Sequence, residues 1–257
     1  MKININADMG ESWGAFAMGD DAGLLGTVAS ANIACGLHGG DPRVIADTIR
    51  LAKVKGVSIG AHPGYADLHG FGRRAMSLPD AEVEALILYQ LGAVAGMAQA
   101  LGHQMTHVKP HGALNNQACA DRHLADIIAR AIHLFDPGLI LLAPVLSQLA
   151  AAGTAAGLSV ALEIFADRTY EGDGQLTPRS IAGSVLHRAE EARDHVLGMV
   201  KAGGIVTRTG QILSTPFHSI CVHGDGAEAL AAARLIHSAL QGAGHDIVPL
   251  PAALGQR

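Results

Sequence analysis

The chain has 257 residues, enough for one large domain or two small ones. Hydrophobic residues make up 49% of it and charged residues 16%, which excludes a disordered chain and allows a large buried core. The formal net charge of -5 excludes the basic surface that binding to nucleic acid or to an anionic membrane requires.

Cysteine usage and the start of the chain indicate the compartment. Cys35, Cys119 and Cys221 are odd in number and lack CxxC spacing, which favours reduced thiols over a disulfide framework. No apolar run reaches the roughly 20 residues of a membrane span, and the first residues lack the apolar core of a signal peptide. We therefore expect a cytoplasmic protein with neither a membrane nor a nucleic acid as partner.

Short apolar, β-branched runs recur along the chain and predict strands buried on both faces, as in a parallel sheet. The predicted strands lie near residues 2–7, 31–35, 57–62, 105–109, 139–143, 160–164 and 219–223. Segments with helical spacing separate them, such as 79–102, which has one apolar stripe. Asp41-Pro42 and Thr177-Pro178 each predict a helix start, and 203–216 predicts a small hairpin around Thr209-Gly210.

Seven strand-then-helix units in a chain of this length favour the α/β class and a closed, TIM-like barrel of about seven parallel strands. We expect a single domain over residues 1–257, because no linker rich in Pro, Gly or Ser interrupts it. A doubly wound open sheet is the alternative. Neither GxGxxG nor GxxxxGK[ST] follows a strand, so the chain has no readable nucleotide loop.

Six of the seven predicted strands are followed by ionisable residues and glycines. In chain order these residues are Asp8 and Glu11; His38 and Asp41; His62, Asp67, His69, Arg73 and Arg74; Lys109 and His111; Asp167, Arg168, Tyr170, Glu171 and Asp173; His223 and Asp225. In a parallel barrel all of these strand ends meet on one face, where barrel enzymes carry their active sites. The asymmetry between the two ends of the barrel therefore predicts an active site.

Several of these residues also have a structural interpretation. Asp41 is better explained as a helix cap than as a catalyst, and Asp67 could lock a long loop by pairing with Arg73 or Arg74. His69, His107 and His218 are as well explained by structure as by function.

The chemistry suggested by these residues is that of acids, bases and histidines. A nucleophile is weakly supported, because there is no GxSxG motif and no cysteine beside a predicted base. Asp8, His38 and His62 could bind a divalent metal through mixed ligands, or form an acid/base set without one, and no HExxH or HxxxH spacing decides between these. Lys109 could hold a developing oxyanion, or act as a base if desolvated.

Six motifs resemble the LamB/YcsF family in order and spacing, from residue 4 to about residue 226. They are NADMGES, NIACGLHGGDP, GAHPGYADLHGFGRR, HVKPHGALNN, FADRTYEGDGQLTPRS and CVHGD. The resemblance implies a (β/α) barrel of the glycoside hydrolase/deacetylase type. It also implies ATP-dependent opening of 5-oxo-L-proline (pyroglutamate) to L-glutamate, performed with two further 5-oxoprolinase subunits, B and C.

The resemblance also suggests roles for the strand-end residues. Asp8 or Glu11 would activate water, Lys109 and glycine-loop amides would hold the oxyanion, and a histidine would protonate the leaving nitrogen. Arg73 or Arg168 would bind the substrate carboxylate. The expected catalytic set is Asp8, Glu11, Lys109 and His111, and the expected substrate-binding set is His38, His62, Arg73, Arg168, His223 and Asp225. ATP would be handled by the partner subunits.

Two other functions fit the same residues. One is a stand-alone, metal-dependent deacetylase of a small amide or carbohydrate. The other is a non-catalytic subunit that binds the lactam for its partners. Fold analogy alone does not choose among the three.

Overall fold

The computed structural model of the protein describes residues 1–223 and 228–256. The strands of this part are β1 (Lys2–Met9), β2 (Ser30–Ala34), β3 (Ser58–His62), β4 (Met105–Val108), β5 (Ile140–Pro144), β6 (Ser159–Phe165), β7 (Gly204–Val206), β8 (Ile212–Ser214), β9 (Ser219–Val222) and β10 (Asp246–Ile247). The helices are α1 (Asp21–Leu24), α2 (Pro42–Lys55), α3 (Asp80–Ala100), α4 (Gly112–Ala120), α5 (Arg122–Phe135), α6 (Gln148–Ala155), α7 (Ala189–Ala202), α8 (Ala229–Gly242) and α9 (Leu250–Ala253).

Seven parallel strands close into a barrel, which confirms the predicted fold and excludes the open sheet. Each of β1 to β6 pairs in parallel with the next, and β9 pairs with both β6 and β1. The closing ladder joins Asn4–Ala7 of β1 to Ser219–Val222 of β9. Because every strand runs the same way, the carboxyl ends of all seven lie on one rim.

The two predicted helix starts have different outcomes. The Asp41 carboxylate accepts hydrogen bonds from the amides of Arg43 and Val44 and caps α2, as predicted. The helix start predicted at Thr177-Pro178 is wrong, because Thr177 instead pairs its backbone amide with the carbonyl of Thr169. That pairing holds the segment as part of the loop between β6 and α7.

The predicted hairpin is confirmed. Strands β7 and β8 pair in antiparallel fashion, and Gly210 takes the left-handed conformation (φ 82°) in the turn between them. This small sheet stands outside the barrel and precedes β9.

Helix α3 belongs to the outer layer of the barrel. Among the described residues it is the one helix long and apolar enough, by length and composition, to cross a membrane, a test that the core helices of soluble proteins also pass. Val83, Ile87 and Val94 of the predicted stripe are fully buried, and the helix packs on β3, β4 and α5. Burial against the barrel therefore explains the apolar residues of this stripe.

The barrel has an apolar outside and a partly polar inside. Along β1, Ile3, Ile5 and Met9 pack among the residues of the largest hydrophobic cluster. The alternate residues Asn4 and Asn6 instead bond to side chains of the neighbouring strands β2 and β9. The hydrophobic core thus lies between the strands and the helices, and the barrel interior is held together by hydrogen bonds.

Candidate active site

A cavity of about 470 Å³ opens at the carboxyl ends of the barrel strands. Eight of the ten predicted site residues line it: Asp8, Glu11, His62, Arg73, Lys109, His111, Arg168 and His223. His38 lies directly behind His111 and does not line the cavity. Asp225, predicted to bind substrate, lies outside the described residues.

Four buried side chains cluster at the base of the cavity: Asp8 and Lys109 line it, and Glu163 and Cys221 contact Lys109 from behind. We call these four residues the floor cluster. The Lys109 ammonium lies 3.0 Å from Asp8 Oδ1, 3.3 Å from Glu163 Oε2 and 3.0 Å from Cys221 Sγ. Asn6 Oδ1 is a fourth acceptor at 3.2 Å. An ammonium has three hydrogens, so the barrel itself occupies all of its donors.

The charges of the floor cluster are set by their mutual contacts. Burial alone would raise the pKa of Asp8, but His62 and Lys109 outweigh it and hold that pKa well below its usual range. Burial alone would lower the pKa of Lys109, but Asp8, Cys221 and Glu163 raise it well above its usual value. At neutral pH an ionised Asp8 therefore faces a charged Lys109.

Glu163 is different, because burial raises its pKa and the nearby Asp8 charge adds to the effect. Its side chain is fully buried, and Oε1 has no hydrogen-bond partner among the described residues. Of the two carboxyl groups in the floor cluster, Glu163 is therefore the one whose environment favours the protonated form.

Three histidines form a second group beside the floor. His62 Nδ1 lies 2.6 Å from the carbonyl of Lys109, and His111 Nε2 lies 2.7 Å from the carbonyl of Phe71. The remaining nitrogens of the two rings, His62 Nε2 and His111 Nδ1, are 3.1 Å apart. His38 stacks on His111 with ring centroids 3.7 Å apart.

Carboxylates lie near both rings of this pair. Asp8 Oδ2 is 3.4 Å from His62 Nε2, and Glu11 Oε1 is 3.8 Å from His111 Nδ1. Burial, followed by the charge of His62, lowers the pKa of His111 to about 3. His111 is therefore neutral and can accept a hydrogen bond at Nδ1.

Two glycines lie so close to the rings of His38 and His111 that a side chain there would collide with them. A Cβ added to Gly64 would lie 2.6 Å from His38 Nδ1, and one added to Gly72 would lie 2.8 Å from His111 Cδ2. Glycine at both positions is thus required by packing against the imidazoles.

Two further strand ends contribute Arg168, after β6, and His223, after β9, to the cavity wall. Arg168 donates to the carbonyls of Thr177 (2.6 Å) and Ser184 (3.3 Å), which ties the long β6–α7 loop over the cavity. His223 Nδ1 lies 2.7 Å from the Asp167 carboxylate. Burial, and then the charge of Arg179, lower the pKa of Arg168 to about 10, which leaves it charged at neutral pH.

The ion pair predicted between Asp67 and Arg73 or Arg74 has a structural role. Arg74, exposed at the surface, makes a bidentate contact with the buried Asp67 carboxylate, which locks the loop after β3. Arg73, its neighbour, lines the cavity and lies over the Phe71 ring at 4.9 Å from its centroid.

Two groups of acids, thiols and imidazoles among the described residues come close enough together to be considered as metal sites. They are Asp8, Cys221 and His223, and Glu11, His38 and His111. The set considered from the sequence as one of two alternatives, Asp8 with His38 and His62, is not among them.

Neither group fits an ion as it stands. In the first, the Lys109 ammonium already lies 3.0 Å from both Asp8 and Cys221 and occupies the place of a cation. In the second, the His38 and His111 rings lie in nearly parallel planes (6°) 3.7 Å apart. A metal bound in-plane at about 2 Å from each nitrogen cannot lie in both planes. Neither group can therefore hold a metal ion without rearrangement.

Sequence reasoning misses polar residues of the barrel interior beneath the cavity. Glu163 falls within a strand predicted from its apolar character, and Asn6, Asn32 and Cys221 are not predicted as site residues. A signal is present in β1, where KININAD alternates isoleucine with asparagine. The lone glutamate inside the apolar run VALEIF is another.

The chain is similar to proteins of known family. The profile described as the LamB/YcsF family matches residues 3–255. A protein of Azoarcus sp. (strain BH72), named as the A subunit of 5-oxoprolinase, is 55% identical over 98% of this chain and 98% of that protein. The protein of the same name from Bacillus subtilis (strain 168) is 47% identical over 97% of each.

Solved structures agree on the fold. The lactam utilization protein from Thermus thermophilus is 45% identical, has a TM-score of 0.91 and covers 96% of this chain and 99% of its own. The Bc1960 peptidoglycan N-acetylglucosamine deacetylase is 13% identical, with a TM-score of 0.52 over 100% of this chain and 89% of its own. The second likeness concerns the fold alone, a barrel of the deacetylase type.

Proposed function

The chain belongs to the LamB/YcsF family, and from that premise we propose that it is the A subunit of an ATP-dependent 5-oxoprolinase. With subunits B and C it would open 5-oxo-L-proline (pyroglutamate) to L-glutamate. The observation that carries this proposal is the buried acid, ammonium and imidazole site at the strand ends of a chain 55% identical to a protein named as that A subunit. Free, buried cysteines support a cytoplasmic location.

A chemical argument supports the need for ATP. A five-membered lactam is an unactivated amide with a poor leaving group, and phosphorylation of its oxygen makes the carbon electrophilic enough for water to attack. This chain has no readable phosphate loop, so we assign ATP to subunits B and C and ring opening to this cavity.

The proposed roles follow from position and charge. Glu11 or Asp8 takes a proton from the attacking water, and a histidine of the cavity returns a proton to the ring nitrogen as the C–N bond breaks. Lys109 holds the developing oxyanion, which requires the substrate oxygen to take over one of its N–H groups from a barrel acceptor. Arg73 or Arg168 binds the substrate carboxylate.

The test is glutamate release from 5-oxoproline and ATP, measured with this chain alone and after addition of subunits B and C. We expect turnover only in the assembled system, and a loss of roughly 10²–10⁴-fold in Asp8→Asn, the range for a general acid or base. Asp47→Asn, on the exposed face of α2, is the matched control and should retain full turnover.

Two results would contradict the proposal. Release of acetate from acetylated sugars by the chain alone would favour a deacetylase. Wild-type turnover by the double variant Asp8→Asn/Glu11→Gln in the assembled system, with lactam binding retained, would favour a protein that only binds the lactam.

A further inference from the structure

We propose that His62 and His111 share a single proton as one imidazole–imidazolium pair, and that this pair supplies the proton received by the ring nitrogen. The second half of this statement rests on the proposed lactam opening. The first half concerns the chain by itself and follows from hydrogen bonding.

Two backbone carbonyls determine one hydrogen on each ring. A carbonyl oxygen only accepts, so His62 Nδ1, 2.6 Å from the carbonyl of Lys109, must carry a hydrogen. For the same reason His111 Nε2, 2.7 Å from the carbonyl of Phe71, must carry one. Both tautomers are thereby set by partners that cannot change their protonation.

The other two nitrogens then face each other. If both rings were neutral, His62 Nε2 and His111 Nδ1 would present lone pairs to each other at 3.1 Å, with no hydrogen between them. One additional proton converts this repulsion into a hydrogen bond. The pair as a unit is therefore a monocation, in which one ring is charged and the other accepts.

The surroundings indicate which ring is charged. His62 Nε2 lies 3.4 Å from the ionised Asp8 carboxylate, which favours a cation there. The pKa of His111, lowered to about 3 by burial and by the charge of His62, fits the accepting ring. His62 thus donates from Nε2 to Nδ1 of His111.

The charged and titratable groups around the pair come from six elements of the barrel. They are Asp8 and Glu11 at the end of β1, His38 after β2, Arg73 in the loop after β3, His107 and Lys109 of β4 and its end, Glu163 of β6, and His223 after β9. Carboxylates near both rings balance the positive charge of the pair, and burial excludes water from it.

The arrangement gives a balanced proton path for ring opening. Water attacks the phosphorylated carbon, forms the new C–O bond and loses a proton to Glu11, while the ring nitrogen takes the C=N electron pair and the proton of the pair. Glu11, 3.8 Å from His111 Nδ1, then returns its proton to the pair. Loss of the shared proton leaves two opposed lone pairs, and their repulsion favours the return of a proton to the two rings. In a second transfer of the same kind the hydroxyl proton passes to Glu11, the C–N bond breaks and the nitrogen takes the recharged pair's proton. The resulting acyl phosphate is hydrolysed by a further water to glutamate and phosphate.

The primary test is NMR of the free chain labelled with ¹⁵N at histidine. We expect one hydrogen-bonded ring proton that correlates with two nitrogens from different residues, His62 Nε2 and His111 Nδ1. The signal should disappear in His62→Gln and in His111→Gln, where glutamine can still bond the carbonyl. It should persist in His237→Gln, the matched control, whose ring also lies 2.7 Å from a carbonyl (of Thr27).

Absence of the shared proton in the wild-type spectrum, with each ring showing an independent lone-pair nitrogen, would overturn the pair. This readout needs neither substrate nor partners, so a chain without 5-oxoprolinase activity but with the shared proton would defeat only the proposed function.

A kinetic cycle in the assembled system tests the catalytic half. Each single glutamine variant should lower turnover by roughly 10²–10⁴-fold, and the double variant should be no worse than either single one, because the two rings act as a unit. Additive losses would show two separate roles and would overturn the shared delivery of the proton.

Discussion

At the scale of single residues, the buried Lys109 is necessary for stability as well as part of the site. Its stem passes into the barrel and its ammonium compensates the Asp8 carboxylate, which is itself about 8% exposed at the side chain. Removing one partner of a buried pair leaves the other charge uncompensated, which costs more than the pair contributes. The residue therefore carries a stability role that is inseparable from its place in the site.

We predict that Lys109→Met lowers the free energy of unfolding by up to about 3–5 kcal/mol, because the buried Asp8 carboxylate loses the closer of its two cationic partners and keeps only His62. Adding Asp8→Asn should recover much of that loss, since both charges are then absent. Urea unfolding of the two single variants and the double variant measures the coupling. Lys53→Met, an exposed lysine of α2, should change stability by less than about 0.5 kcal/mol. Wild-type stability of Lys109→Met would contradict the predicted charge pair.

At the scale of elements, the position of β4 relative to β3 depends on a glycine. The imidazole of His107 fills the space where Gly60 would carry a Cβ, and its Nε2 lies 3.0 Å from Asn32 Oδ1 across the barrel. The same strand ends in Lys109, so the packing of His107 against Gly60 helps to set where the ammonium lies.

Replacing glycine by alanine should therefore change the free energy of unfolding in opposite directions in β3 and in α3. Gly60→Ala forces β3 and β4 apart at the His107 ring, and we expect a loss of about 1–3 kcal/mol. Gly96→Ala, on the exposed face of α3 with nothing near the added Cβ, should instead stabilise by up to about 1 kcal/mol. Urea unfolding measures both. Equal effects would show that backbone propensity, and not the packing of His107, decides at Gly60.

At the scale of the whole molecule, buried neutral histidines couple folding to pH. Burial lowers the pKa of His107 to about 3, from an ordinary value of 6.5. Below about pH 6.5 the unfolded chain binds a proton there that the native chain does not, so stability falls as pH falls toward 3. The lowered pKa of Asp8 acts in the same direction at lower pH, whereas the raised pKa of Glu163 opposes it.

We predict that His107→Gln weakens the acid sensitivity of the protein. Glutamine can bond Asn32 and Thr106 as the imidazole does, but it does not titrate. The slope of unfolding free energy against pH should decrease by up to about 1.4 kcal/mol per pH unit between about pH 6 and pH 4. Urea titrations at several pH values measure it, and above pH 7 the difference between the two proteins should be constant. An unchanged slope would contradict a neutral, buried His107.

Local patterns are sufficient to predict the strands, the barrel and most of the residues of the rim. Apolar runs and helix spacing are properties of neighbours in sequence, and in a parallel barrel they place every strand end on one face. For that reason Asp8, Lys109 and His223 can be assigned to one cavity before any contact is known. The same local reasoning fails at Thr177, where a pairing with Thr169 within the tertiary loop replaces the predicted helix start.

Only the tertiary structure decided how these residues act on one another. The Lys109 donors are occupied by residues 101 to 112 positions away, or 54 in the case of Glu163, and such distances are bridged only when the barrel closes. The tautomers of His62 and His111 depend on two carbonyls, from Lys109 and Phe71, that no periodicity reveals. The sequence by itself determined which groups meet at the rim, because the alternation of strands and helices along the chain already implies parallel strands with their carboxyl ends on one face. The charge and proton carried by each group were decided by burial and by partners from distant strands.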